Sequence, residues 1–164
     1  MESDHTLGPR LADEALVCTA PFQATPPTTI IVSCADGRFA IEDAEVLAAL
    51  GVHETPDRQT PPGGPAALHE GSAATPIDDD VSLRRLTFLV EYHATRRILL
   101  VAHADCGHYR STFPDDNDEQ RFHRQLRDLC AVAGDLRKRF PHVVITCLYA
   151  RAKGASVAIH RVIE

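Results

Sequence analysis

Two short stretches of the chain carry residue types that bind a transition metal: Cys34-Ala35-Asp36-Gly37-Arg38 and His103-Ala104-Asp105-Cys106-Gly107. Two thiolates and one imidazole form a set that selects Zn2+ among the divalent ions, and three protein ligands with an open fourth position is the arrangement of catalytic zinc. The spacing His103-x-x-Cys106 lets a single turn deliver an imidazole and a thiolate to the same ion. Asp36 and Arg38 follow Cys34 closely enough to share its site. A bidentate guanidinium–carboxylate pair would keep Asp36 ionised and oriented, with a lone pair left to accept the proton of zinc-bound water. Zinc lowers the pKa of such a water to about 7. The chemistry expected is attack of zinc hydroxide on a small electrophilic carbon. Asp36 is also a candidate fourth ligand, and in that arrangement four protein ligands would close the site.

Blander roles compete with these. A cysteine at a strand end is commonly a small buried hydrophobe, and an Asp–Arg pair is commonly a surface ion pair worth about 0–1 kcal/mol. The coincidence of both motifs favours the metal reading for Cys34, His103 and Cys106, and the catalytic pair for Asp36 and Arg38. Asp105, between two ligands, is expected to point away from the metal as a capping or hydrogen-bonding residue. His108 and Tyr109 follow the second motif and are read either as residues that line the pocket or shuttle protons or as solvated loop residues. The remaining histidines show no ligand spacing, and Gly63-Gly64 lacks the lysine and glycine spacing of a phosphate loop, so it is read as a turn.

Both motifs follow apolar, β-branched runs, residues 28–33 and 97–102, and a third such run covers 143–148. Runs of this kind mark strands buried on both faces. Between them lie helical patterns: one over residues 38–50 that stops at Gly51, a second beginning near Asp79 or Asp80, and a third over 118–140. In the third, Phe122, Leu126, Leu129, Ala133, Leu136 and Phe140 line one helix face before Pro141. Residues 156–163, after a Lys153-Gly154 turn signal, suit an antiparallel edge strand. Residues 55–76, rich in Pro, Gly and Thr, read as a loop with a short strand around 52–58, and Asp115-Asp116-Asn117-Asp118 as a solvated helix start. The fold class is α/β, a mainly parallel central sheet flanked by helices in a single domain. Ligands of such sheets bind at the carboxyl ends of the strands, where Cys34 and His103 both fall.

The chain is long enough, at 164 residues, for one domain with a true core. Its 23 acidic and 17 basic residues leave a net charge of -6 with no basic stripe, which argues against nucleic acid as a partner. No apolar run reaches the roughly 20 residues that span a bilayer, and the first residues have no signal-peptide pattern. A cytoplasmic location is expected, and the five cysteines sit at no disulfide-scaffold spacing. Cys18, Cys130 and Cys147 are read as buried apolar residues. Residues 1–27 are expected to form an N-terminal arm, with a short helix over 11–18, and residues 28–164 the zinc domain.

These residues resemble the β-class carbonic anhydrases. That family carries Cys-x-Asp-Ser-Arg after its first central strand and His-x-x-Cys-Gly after a later one, matched here by Cys34, Asp36, Arg38, His103, Cys106 and Gly107, and the likeness spans residues 28–149. The resemblance implies a Rossmann-like sheet, a homodimer as the basic unit, one Zn2+ per chain, and reversible hydration of carbon dioxide to bicarbonate. It also implies substrate-side roles for Gly107 and for Gln23, the counterpart of a glutamine that precedes the first strand in many members. Carbonyl sulfide and carbon disulfide hydrolases resemble the same family, and so would a non-catalytic zinc-binding paralogue with Asp36 on the metal. The chain departs from the pattern with Gly37 in place of the serine, and with Pro62-Gly63-Gly64-Pro65 where many members have an Arg-Asn-Ala-Gly loop.

Overall fold

The computed structural model of the protein describes residues 22–41, 44–69 and 76–163. The expected helix over 11–18, Cys18 and most of the N-terminal arm lie outside them. The β-branched run after Thr28 forms β1 (Thr29–Ser33), every residue of it buried. The chain then makes a one-turn 3₁₀-helix, Gly37–Phe39, and the short α1 (Ala44–Ala49). After β2 (Asp57–Gln59) comes a second 3₁₀-helix, Gly64–Leu68. Then follow α2 (Pro76–Tyr92), β3 (Arg97–His103), α3 (Gly107–Thr112), α4 (Asp118–Arg139), β4 (Val144–Lys153) and β5 (Ser156–Arg161).

The strands form one sheet in the order β2-β1-β3-β4-β5. The pairings of β1 with β2, β1 with β3 and β3 with β4 are parallel, and β5 adds antiparallel to β4. Period-two alternation sends successive residues of the buried strands to opposite faces. Ile30, Val32, Ile98, Leu100 and Ala102 face Leu86 and Val90 of α2 and Leu129, Val132 and Leu136 of α4. Ile31, Leu99 and Val101 face Phe39, Ile41, Leu47 and Val52. A parallel sheet covered on both sides explains why these strands read as continuous apolar runs.

Three sequence expectations change. The helix over 38–50 is broken: Asp36 caps the first short turn by accepting from the Arg38 backbone nitrogen, and Ala40 is extended, so that Ile41 drops into the core before α1 begins. Its end is as expected, with Gly51 at φ 77° and the Arg97 guanidinium donating to the Leu50 carbonyl at 2.6 Å. The next helix starts at Pro76, with Asp79 and Asp80 inside it; proline suits the first turn because its missing N–H has no helical partner there. Within the Pro- and Gly-rich stretch expected as a loop, Gly64–Leu68 is instead a buried 3₁₀-helix. Gly64, Pro65, Ala66, Ala67 and Leu68 are all buried. Two left-handed glycines, Gly63 and Gly64, turn the chain under the sheet rim, a conformation open to glycine at little cost. At the start of α4, Asn117 and Gln120 form a reciprocal capping box. Cys147 is buried and Cys130 partly so. Among the described residues, no helix is long and apolar enough to cross a membrane.

Candidate metal centre

β1 and β3 are neighbours in parallel register, Ser33 against Val101, so their carboxyl ends release Cys34 and His103 side by side at one rim. The chain then turns sharply through Asp105 at φ 56°, and Cys106 becomes the N-cap of α3. That turn brings Cys106 back to the first arm: the Cys34 and Cys106 sulfurs are 3.9 Å apart. The Sγ atoms and a ring nitrogen of His103 all lie within 4.8 Å of one another, and no other such group of His, Cys, Asp or Glu occurs among the described residues.

The hydrogen bonding of His103 tests whether a metal fits. Its Nδ1 lies 2.8 Å from the Ala104 carbonyl, which can only accept, so Nδ1 carries the proton and Nε2 keeps a bare lone pair. That Nε2 is buried and has no hydrogen-bond partner. An unsatisfied buried polar atom costs about 1–3 kcal/mol, and here it sits beside two thiols. A backbone carbonyl on one ring nitrogen, fixing the tautomer that presents the other, is the usual support of a metal-binding histidine. The thiols fit as well. The hydrogen bond from Cys106 pulls the Cys34 thiol far below its ordinary pKa, against the effect of burial, with smaller help from the Asp36 and Gly63 backbone amides. Cys106 is pushed up by the same bond and by burial, so the pair holds a thiolate ready for a cation.

Asp36 and Arg38 meet as the spacing suggests. Arg38 Nε lies 3.0 and 3.1 Å from Asp36 Oδ1 and Oδ2, its Nη2 donates to Oδ2 at 2.6 Å, and its backbone nitrogen donates to Oδ1 at 3.1 Å. These bonds to Arg38 hold the Asp36 carboxyl down to about 2. Asp105 points away from the sulfurs. Its Oδ2 accepts from Arg38 Nη1 at 3.2 Å and its Oδ1 from Arg110 Nη1 at 2.5 Å. A non-glycine residue in the left-handed region costs about 1–2 kcal/mol, so this turn is strained.

Some contributors carried no sequence signal. The Phe39 ring stacks on His103 with centroids 4.4 Å apart, and the Arg38 guanidinium lies 5.6 Å from the same ring. A Cβ on Gly64 would lie 2.9 Å from the Cys34 nitrogen, and one on Gly63 would lie 2.5 Å from the His108 ring. The Gly63–Gly64 turn therefore presses its backbone against the first ligand, and the His108 ring fills the space a side chain at 63 would need. Tyr109, 2% exposed, donates to Asp128 at 2.6 Å and ties α3 to α4. Burial first, then the Asp128 charge, keeps it a phenol. Glycine spacing pointed to a turn, but only the fold says what the turn touches.

Two expected site residues stand differently. Gly107 opens α3 directly after Cys106, and a Cβ there would meet nothing within 4 Å. Gln23 is not brought to the cluster. Its Oε1 accepts from the Thr55 nitrogen and its Nε2 donates to the Thr25 carbonyl, which fixes its amide where β1 and β2 begin, at the opposite end of the sheet from Cys34. Gly37 has open space where a Cβ would stand, so its lack of a side chain leaves the turn intact.

No protein-family model matches the chain, and no curated protein sequence does. Solved structures do match. A mutant form of the β-carbonic anhydrase CafD of the filamentous fungus Aspergillus fumigatus aligns with a TM-score of 0.52 at 13% identity, over 87% of this chain and 94% of that one. β-Carbonic anhydrase isoform I of the protozoan Trichomonas vaginalis aligns at 0.51 and 13% identity, over 85% and 86%. The chain thus has the α/β fold of the β-carbonic anhydrases.

Proposed function

We propose that the chain is a small, divergent β-carbonic anhydrase that holds one zinc ion through Cys34, Cys106 and His103 Nε2 and hydrates carbon dioxide reversibly to bicarbonate. The observation that carries this reading is the buried, unpartnered His103 Nε2 facing two thiols on this fold. Zinc, when bound, supplies a Lewis acid that lowers the pKa of a coordinated water to about 7. The protein's own part is orientation. Arg38 clamps Asp36 from one side and keeps it ionised near neutral pH. A carboxylate with a pKa of about 2 does not carry a proton away at that pH; it accepts a hydrogen bond and so aims the attacking oxygen. Oδ1, which does not take the short 2.6 Å bond that Arg38 Nη2 makes to Oδ2, is the atom assigned that role. Gly107 supplies an unobstructed backbone on the substrate side, and Gln23 is assigned no part in this chain's own site.

The reading carries with it a zinc domain over residues 28–164 preceded by an arm over 1–27, a homodimer as the minimal unit, and a cytoplasmic location. Light scattering at micromolar concentration tests the dimer. The decisive experiment is stopped-flow carbon dioxide hydration by the zinc-loaded protein beside an assay with carbonyl sulfide. Fast hydration supports the proposal. Turnover of carbonyl sulfide alone replaces the substrate and keeps the site. Inactivity on both, with a cobalt spectrum independent of pH, makes the chain a zinc-binding protein closed by Asp36.

A further inference from the structure

We propose that Asp105, together with Arg110, is a positioning residue for the Asp36–Arg38 pair: it anchors the third guanidinium nitrogen so that the other two stay aimed at Asp36. The kinetic part of this inference rests on the hydration reading; the geometric part does not.

The starting observation is a strained residue in a place where glycine would relieve the strain. Asp105 lies between two ligands at φ 56°. Asp and Asn tolerate this region better than other side chains because they can bond to nearby backbone, yet the carboxylate of Asp105 bonds to two guanidiniums instead, one of them 67 residues away in sequence. A strained non-glycine residue whose side chain is fully used points to a function for that side chain.

The second observation is the division of labour on Arg38. Nε and Nη2 serve Asp36, and Nη1 serves Asp105. The Arg38 side chain is 60% exposed. An exposed ion pair between flexible side chains is weak, because ordering them costs entropy and water screens the charge. A second carboxylate on the far edge of a planar fork removes the freedom to swing, which a single partner at that exposure does not. Arg110 completes the arrangement. Alone, Asp105 would compete with Asp36 for the Arg38 charge; with Arg110 on its Oδ1 at 2.5 Å, two carboxylates face two guanidiniums and Asp36 keeps its partner. Because Asp105 belongs to the arm that carries His103 and Cys106, the clamp also registers the two arms against each other.

The test compares Asp105→Gly, Asp105→Asn and wild type as full-length, zinc-loaded protein. The readouts are the Arg38 Nε–H resonance, assigned by its loss in Arg38→Lys, thermal unfolding, zinc content and carbon dioxide hydration. Asp105→Gly removes both strain and clamp. It is expected to keep one zinc and an equal or higher unfolding midpoint, while the Arg38 Nε–H signal broadens into solvent exchange and kcat falls about tenfold with KM little changed. Asp105→Asn keeps an acceptor oxygen and should fall between. An unchanged Arg38 signal in Asp105→Gly overturns the inference, whatever the activity. Loss of zinc or of fold in both variants also overturns it, since Asp105 is then a structural part of the turn. If wild type hydrates nothing but the signal still collapses in Asp105→Gly, the positioning stands and the hydration reading fails.

Discussion

The two arms that meet at the metal centre are built by different physics. On the second arm His103 is 2% exposed, Cys106 3% and Tyr109 2%; it is held by burial, by the stacked Phe39 ring and by the Tyr109–Asp128 bond. The first arm leaves the sheet at a half-buried Cys34 and ends in two charges, the half-buried Asp36 and the exposed Arg38, held by ion pairs. Packing is stiff and indifferent to salt, whereas exposed charge pairs are adjustable and screened. The difference teaches a division of support: packing holds two of the three candidate metal donors, His103 and Cys106, while the third, Cys34, stands on an arm that ends in an ion pair.

The largest effect that could break this comparison is on metal content. His103→Ala or Cys106→Ser in the packed arm should lose zinc outright, while Arg38→Ala in the charged arm should keep one zinc per chain and lose most hydration activity. Metal analysis of purified protein checks both. Near wild-type turnover in zinc-loaded Arg38→Ala would reduce the Asp36–Arg38 pair to an ordinary surface ion pair. Next in size is Gly64→Ala, which acts between the arms. Its methyl group would sit 2.9 Å from the Cys34 nitrogen in a backbone conformation at φ 63°, so the first ligand must shift. Zinc affinity by chelator competition should fall about 10–100-fold, the usual cost of disturbing a ligand's support.

Tyr109→Phe sharpens the comparison from the packed side. It removes one bond to the Asp128 carboxylate and should lower stability by about 2 kcal/mol in urea unfolding, with zinc stoichiometry unchanged. The smallest effect belongs to the charged arm in acid. Asp36 has its pKa lowered from 3.8 to about 2 by Arg38, so the folded state favours its ionised form. That contribution is fully present above the unfolded value near 4 and is lost as pH falls toward 2. For a pair this exposed it is worth at most about 1 kcal/mol. Arg38→Ala should flatten the stability–pH curve between those limits and, above pH 5, lower it by a constant amount with no change of slope. Equal slopes in both proteins would show that Arg38 does not hold Asp36 in solution.

Much of the fold was legible because its determinants are local in the chain. Residues 97–102 announce a doubly buried strand by being continuously apolar, α4 declares itself by the repeat from Phe122 to Leu136, and Gly51 marks a helix end. The clustering of the three candidate donors was legible for the same reason: zinc chemistry restricts the donor types, and His103-x-x-Cys106 is a spacing that one turn closes. The break after Phe39 was not legible, since a helical pattern over 38–50 says nothing of Ile41 being claimed by the core.

What the sequence by itself determined was the alternation of strand and helix and the identity of the atoms at the rim. Tertiary structure decided the rest. It turned a Pro- and Gly-rich stretch into a buried wall, because Gly63 and Gly64 lack the atoms that would collide with His108 and Cys34. It kept Gln23 at the far end of the sheet, where Thr55 takes its amide, and it gave Asp105 two arginine partners. All of these contacts but the Asp105–Arg110 bond join residues tens of positions apart, and their worth depends on distances of a few ångströms, which local pattern does not encode. Only packing the sheet brings those atoms within reach of one another.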